Sequence, residues 1–294
     1  MIVCLFHRGD ILMTKERVAF ATVILTYFLI VFGGYVASSE SGMGCGPEWP
    51  LCNGEVIPEL HGETLIEFGH RVIGAILFLF TIILFIQVKK ENNLLANKVA
   101  NWMISLLSLQ LVMGAIVVFY HLPSFIITVH LLIAMIYLGL LLWFWRYKNS
   151  AQYVNGNHSI IMKKHLNILI ALLFITIGVG AYIKHQHYGL ACGWMDCGNT
   201  ILPESIPELL QSIHRLLAVI SSVYILFLSY KAFSFNNIAL KPRMIFALLV
   251  VLAQLIIGIM TIISVISISF AVLHLAAATL LFAIIVEARI VIAK

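Results

Sequence analysis

The chain has 294 residues, of which 62% are hydrophobic and 11% charged, and its formal net charge is +5. Soluble domains carry about 25% charged residues, so this composition excludes an ordinary water-soluble globule. The positive balance does not mark a nucleic-acid binder, because no basic patch interleaved with aromatics is present to track phosphates.

The apolar residues fall in eight blocks of roughly 20 residues, each long enough to cross a bilayer as a helix. Residues 1–17 carry Arg8, Asp10, Lys15, Glu16 and Arg17 and no small-residue cleavage site, with Met13 as an alternative start. The first block, about 18–37, is too long for a signal-peptide core and reads as a retained helix. A loop with Cys45 and Cys52 follows. The second block, about 65–88, opens on Glu67-Phe68-Gly69-His70-Arg71. The third, about 99–119, holds Gln110 and Gly114, and the fourth, about 125–147, holds His130. The fifth, about 165–184, precedes a loop with Cys192 and Cys197. The sixth, about 208–230, carries His214 and Arg215; the seventh, about 243–265, carries Gln254 and Gly258; the eighth, about 268–288, carries His274. Backbone in lipid must satisfy its own hydrogen bonds, so the expected fold is an all-α integral membrane protein with eight transmembrane helices.

Of the 18 Lys and Arg residues, all but Arg71, Lys184 and Arg215 fall in the N-terminal segment, the loops after helices 2, 4 and 6, or the C-terminus. The positive-inside rule then puts both termini in the cytoplasm and the cysteine loops outside. Disulfides persist there, and Cys45–Cys52 with Cys192–Cys197 is the simplest pairing, in a structural or redox role. Cys4 is left on the reducing side. Zinc is not indicated, since paired CxxC spacing is lacking.

The chain repeats itself. His70 to His214, Arg71 to Arg215, Gln110 to Gln254, Gly114 to Gly258 and His130 to His274 are all offsets of 144 residues. Upstream the offset is 147, as from Tyr35 to Tyr182 and Cys45 to Cys192. Two four-helix halves of the same orientation follow, residues 1–150 and 151–294. The expected arrangement is two pseudo-twofold-related bundles with the axis along the membrane normal.

His70, His130, His214 and His274 each come about five or six residues into a helix running inward, roughly 8 Å deep at 1.5 Å per residue. A lone intramembrane histidine is more often a hydrogen-bonded core residue. Four at one depth, two per half, point to a pair of imidazoles on one iron, the b-type haem arrangement. Gln110 and Gln254 read as interhelical hydrogen-bond partners. Arg71 and Arg215 would face haem propionates, or else snorkel to headgroups. Gly69 and Gly74 would admit a planar ring or a neighbouring helix. His7, His61, His121, His158, His165, His185 and His187 read as solvated loop residues. The halves differ three positions before the first histidine, where Glu67 faces Gln211. Residues at i and i+3 share a helix face, so an acid stands beside His70. It can act as a base or stabilise a cation, which glutamine cannot. The bland reading is a surface acid beside Glu59 and Glu63.

The stretches GCGPEWPLCNG at 44–54 and EFGHR at 67–71, with the later His130, His214 and His274, resemble haem A synthase of the cysteine-containing prokaryotic type, over nearly the whole chain. The resemblance implies an oxidoreductase acting on a methyl group. It oxidises the C8 methyl of haem O to the formyl of haem A by successive hydroxylations, for terminal oxidases. It implies haem O bound by His70 and His130 beside Glu67, and haem b bound by His214 and His274. It implies a multi-pass protein of a prokaryotic cell membrane, with haem O synthase and a membrane electron acceptor or donor as candidate partners; self-association stays open.

Two other readings compete. A quinol-linked dihaem electron carrier needs the four histidines but not Glu67, and a single haem level serves transmembrane electron transfer poorly. A transporter of parallel repeats would place ion-binding carboxylates near midplane, and none is found there.

Overall fold

The computed structural model describes residues 14–91, 93–146, 157–193, 197, 203–235 and 237–292. The segment with Cys4, His7 and Met13 lies outside these residues, and so does the side chain of His158. The described residues form eight long helices: α1 Lys15–Ser38, α2 Gly62–Lys89, α3 Leu94–Phe119, α4 Ser124–Arg146, α5 Asn157–His185, α6 Ile206–Ser234, α7 Lys241–Ile263 and α8 Ile268–Val291. All eight are long and apolar enough to span a membrane, and no strand is found among the described residues. This is a multi-pass, all-α membrane protein.

Helices α1, α3 and α6 start ahead of their apolar blocks, where polar first turns are capped. Asn93 Oδ1 accepts the N–H of Ala96 at 3.0 Å ahead of α3, and Ser205 Oγ accepts that of Glu208 at 3.4 Å ahead of α6. Such caps satisfy orphan donors that hydropathy does not register. Nor is His165 a loop residue. It lies inside α5, where Nδ1 is 2.6 Å from the Tyr224 hydroxyl and the ring packs on Tyr224 and Phe227. Inside the spans, hydroxyls bond the carbonyl one turn back, as Thr22, Thr81, Thr128 and Ser229 do. Those four hydroxyl hydrogens are thereby satisfied within their own helices.

Packing closes two rings. α1 packs on α2, α2 on α3, α3 on α4, and α4 back on α1; α5, α6, α7 and α8 do the same. Contacts of α1 with α8, α4 with α5 and α4 with α8 join the rings. Each ring therefore sets two histidine-bearing helices diagonally opposite: α2 and α4, then α6 and α8.

The loops repeat as well. After α1 and α5 comes a short 3-10 turn, Ser41–Met43 and Tyr188–Leu190. Between α3 and α4, His121 and Leu122 have φ of 57° and 61°; between α7 and α8, Val265 and Ile266 have 55° and 57°. The Leu122 side chain lies against Gly42, where a methyl would meet it at 3.1 Å, and Ile266 lies against Gly189. Each left-handed turn presses an apolar knob onto a glycine of the loop that covers its ring.

Candidate active site

His70 and His214 lie eight residues past Gly62 and Ile206, the helix starts (70 − 62 and 214 − 206), about 12 Å along the axis. His130 and His274 lie six residues past Ser124 and Ile268 (130 − 124 and 274 − 268), about 9 Å along. The registers match between the halves, at the end of the molecule that carries the cysteine loops.

Each ring is seated against a glycine of the preceding helix. A methyl on Gly33 would lie 3.2 Å from Cε1 of His70; on Gly114, 3.9 Å from His130; on Gly180, 2.6 Å from His214; on Gly258, 3.0 Å from His274. Gly33 and Gly180 obey the 147-residue offset, and Gly114 and Gly258 the 144-residue one. These glycines, with Phe32, whose ring lies 5.9 Å from His70, are site residues that sequence reasoning did not assign. The repeat offset, which already pairs Gly114 with Gly258, was the signal that could have found Gly33 and Gly180; no repeat marks Phe32, whose counterpart is Val179. Of the two glycines singled out on α2, Gly69 faces Phe32 at 3.7 Å and Gly74 faces open space.

The rings of His214 and His274 stand 6.5 Å apart, centroid to centroid. An imidazole nitrogen sits about 2 Å from a metal it binds, and the ring centre lies about 1 Å behind that nitrogen, so two imidazoles flanking one ion hold their centres roughly 6 Å apart. The observed spacing fits. Nδ1 of His214 is 3.1 Å from the carbonyl of Thr176, which makes Nδ1 the protonated nitrogen and leaves Nε2 to act as a ligand. Gln254 bridges α7 and α8 through Nε2, 3.3 Å from Nε2 of His274. Nδ1 of His70, His130 and His274 and Oε1 of Gln110 and Gln254 are buried without a partner among the described residues. Buried polar groups are rarely left so. Among those residues no three His, Cys, Asp or Glu converge; His214 and His274 offer an imidazole pair, a donor set that can hold a haem iron.

Glu67 is 4% exposed. Its Oε2 accepts the backbone N–H of Cys45 at 2.7 Å, and its Oε1 accepts Nη2 and Nε of Arg71 at 2.5 and 3.2 Å. Arg71 also donates through Nη1 to the carbonyls of Leu51 at 2.8 Å and Glu48 at 3.3 Å. Cys45 and Cys52 are buried and bonded to each other, so the loop gripped by Glu67 and Arg71 is itself closed. The second half repeats the frame with an amide. Gln211 donates to the carbonyls of Tyr188, at 3.0 Å, and Gly189. Arg215 Nη2 donates to Gln211 Oε1 at 3.2 Å and to the Gly193 carbonyl at 2.5 Å, beside the Cys192–Cys197 pair. Glu67 is therefore no loose surface acid beside Glu59 and Glu63. It is a buried carboxylate one turn before a histidine.

A sequence model of the COX15-CtaA family, described as cytochrome oxidase assembly protein, matches residues 16–64 and 59–286. A relative from Macrococcus caseolyticus is 29% identical over 292 residues, 92% of this chain and 95% of its own length. One from Exiguobacterium sibiricum is 28% identical over 246 residues, 82% of each. One from Bacillus licheniformis is 30% identical over 214 residues, 70% of this chain and 71% of its own. All three bear the name Heme A synthase.

Proposed function

The chain belongs to the COX15-CtaA family, and on that premise we propose that it acts as a haem A synthase, an enzyme of haem A biosynthesis that takes haem O as substrate and yields haem A. The finer reaction is oxidation of the C8 methyl to a formyl group by two hydroxylations and loss of water. The observation that carries the reading is the asymmetry of a duplicated frame: two imidazole pairs in matched register, with a buried carboxylate beside the first and an amide beside the second.

The first half, residues 1–150, is the substrate half. His70 and His130 hold haem O by its iron, and Glu67 stands ready to accept a proton or stabilise positive charge as the methyl is oxidised. Arg71 and the Cys45 N–H hold that carboxylate in place. The second half, residues 151–294, binds haem b through His214 and His274, whose spacing and imidazole chemistry fit it. When bound, haem b supplies one-electron redox chemistry. Arg71 and Arg215 sit at the mouths of the two rings, where propionates would pair with them. The two rings are related by a pseudo-twofold axis along the membrane normal. The cysteine loops lie outside a prokaryotic cell membrane and both termini in the cytoplasm. Haem O synthase is the natural donor of substrate.

A dihaem electron carrier is not favoured, because it has no use for a carboxylate in one half alone. The test is extraction of haems from membranes that hold this chain together with a haem O synthase, resolved by chromatography and mass. Haem A or its hydroxylated precursor is the expected product. Haem b filling both sites, with haem O left unconverted, would overturn the assignment.

A further inference from the structure

The two imidazole pairs are not held alike. His214 is fixed from two directions by α5: its Nδ1 bonds the Thr176 carbonyl at 3.1 Å, and its Cε1 presses on Gly180, where a methyl would lie at 2.6 Å. His274 presses on Gly258 of α7, with 3.0 Å left for a methyl. The first-half rings have more room, 3.2 Å at Gly33 and 3.9 Å at Gly114, and Nδ1 of His70, His130 and His274 is without a partner among the described residues, so His214 alone of the four has its far nitrogen bonded. A ligand ring already immobilised loses less freedom on binding metal. One whose far nitrogen is hydrogen-bonded keeps its tautomer and gains basicity.

We propose that Gly180 and the Thr176 carbonyl of α5, with Gly258 of α7, form a ring lock that retains the second-half haem, and that the lack of this lock in the first half lets the oxidised haem leave. The proposal rests on the assignment of the resident haem to the second half. These are positioning residues, acting through His214 and His274.

The full-length chain, purified with haem b bound, is mixed with excess apomyoglobin as haem acceptor. The rate of haem loss and the low-spin absorption signature are followed. Gly180→Ala should lose haem roughly 10- to 100-fold faster, the range typical of disturbed second-sphere partners, and its low-spin band should shift. Gly258→Ala should show a smaller increase. Gly74→Ala, which meets nothing within 4 Å, should match the parent chain. Retention of haem at the parent rate by both Gly180→Ala and Gly258→Ala overturns the lock; if Gly180→Ala does not fold, Gly258→Ala decides alone. His214→Ala and His274→Ala separate the two levels. If they keep low-spin haem b, the second-half assignment fails. If they lose it while the glycine variants do not, the lock alone fails.

Discussion

At the scale of single residues, the contrast of Glu67 with Gln211 supplies its own control. Gln211 shows that an amide at this position folds within the same frame, bonded to the loop carbonyls and to the arginine one turn on. Glu67→Gln should therefore fold, keep the Cys45 N–H as donor to its amide oxygen, and retain haem b. The negative charge facing Arg71 is lost, and with it the two hydrogen bonds from Arg71, because the amide NH2 that takes the place of Oε1 donates and cannot accept. Haem extraction from membranes supplied with haem O should show haem b present and haem A abolished. Haem A formed at the normal rate would remove Glu67 from the chemistry. The four histidines and Glu67 were legible in the sequence because equal intervals survive as equal registers on straight helices. The bond from the Cys45 N–H was not, since it spans 22 residues through an irregular loop and no periodicity encodes it. Nor was the seating of each ring on a glycine, which depends on how neighbouring helices align.

Helices and turns obey a different logic. The apolar cores of all eight helices were legible, because lipid demands about 20 apolar residues per span; their polar ends were not, because caps rather than hydropathy set them. The left-handed turns were invisible for a stronger reason. Leu122, Val265 and Ile266 are bulky residues that local preference keeps out of positive φ, at about 1–2 kcal/mol each. Tertiary packing holds them there by setting Leu122 on Gly42 and Ile266 on Gly189. Val265 contributes little to that packing, being 70% exposed. Val265→Asn should thus relieve strain without loss of contact and raise the thermal unfolding midpoint. Leu122→Ala should lower it, through a stability loss of about 1–2 kcal/mol for a half-buried side chain, below the range for fully buried leucines. If both substitutions shift the midpoint in the same direction, the knob-and-glycine account of these turns is wrong.

Over the whole molecule, the two rings are tied at the end opposite the cysteine loops by a buried acid. Glu287 of α8, 8% exposed, pairs with Arg146 of α4 at 2.6 Å and with Arg243 of α7 through a two-point contact that includes a 2.8 Å bond from Nη2. Arg243 is also anchored on the Ala239 carbonyl at 2.5 Å. One carboxylate thus joins helices of both rings, a link the sequence did not reveal because its three members come from separate helices with no shared interval. Removing the acid leaves two guanidinium groups facing each other in a low-dielectric site. Breaking a fully buried pair costs about 3–5 kcal/mol. The arginine side chains here are 26% and 22% exposed, so Glu287→Leu should fall somewhat short of that range. Replacing all three at once, as Arg146→Met, Arg243→Met and Glu287→Leu, takes away the stranded charges with the acid. Apolar substitution of whole buried networks is often neutral or stabilising, so the triple variant should recover most of the lost midpoint. Both variants should keep haem b, since the network lies at the far end of the helices from His214 and His274. A triple variant as unstable as Glu287→Leu would mean that the carboxylate aligns the two rings by its geometry, and that its charge is not what joins them.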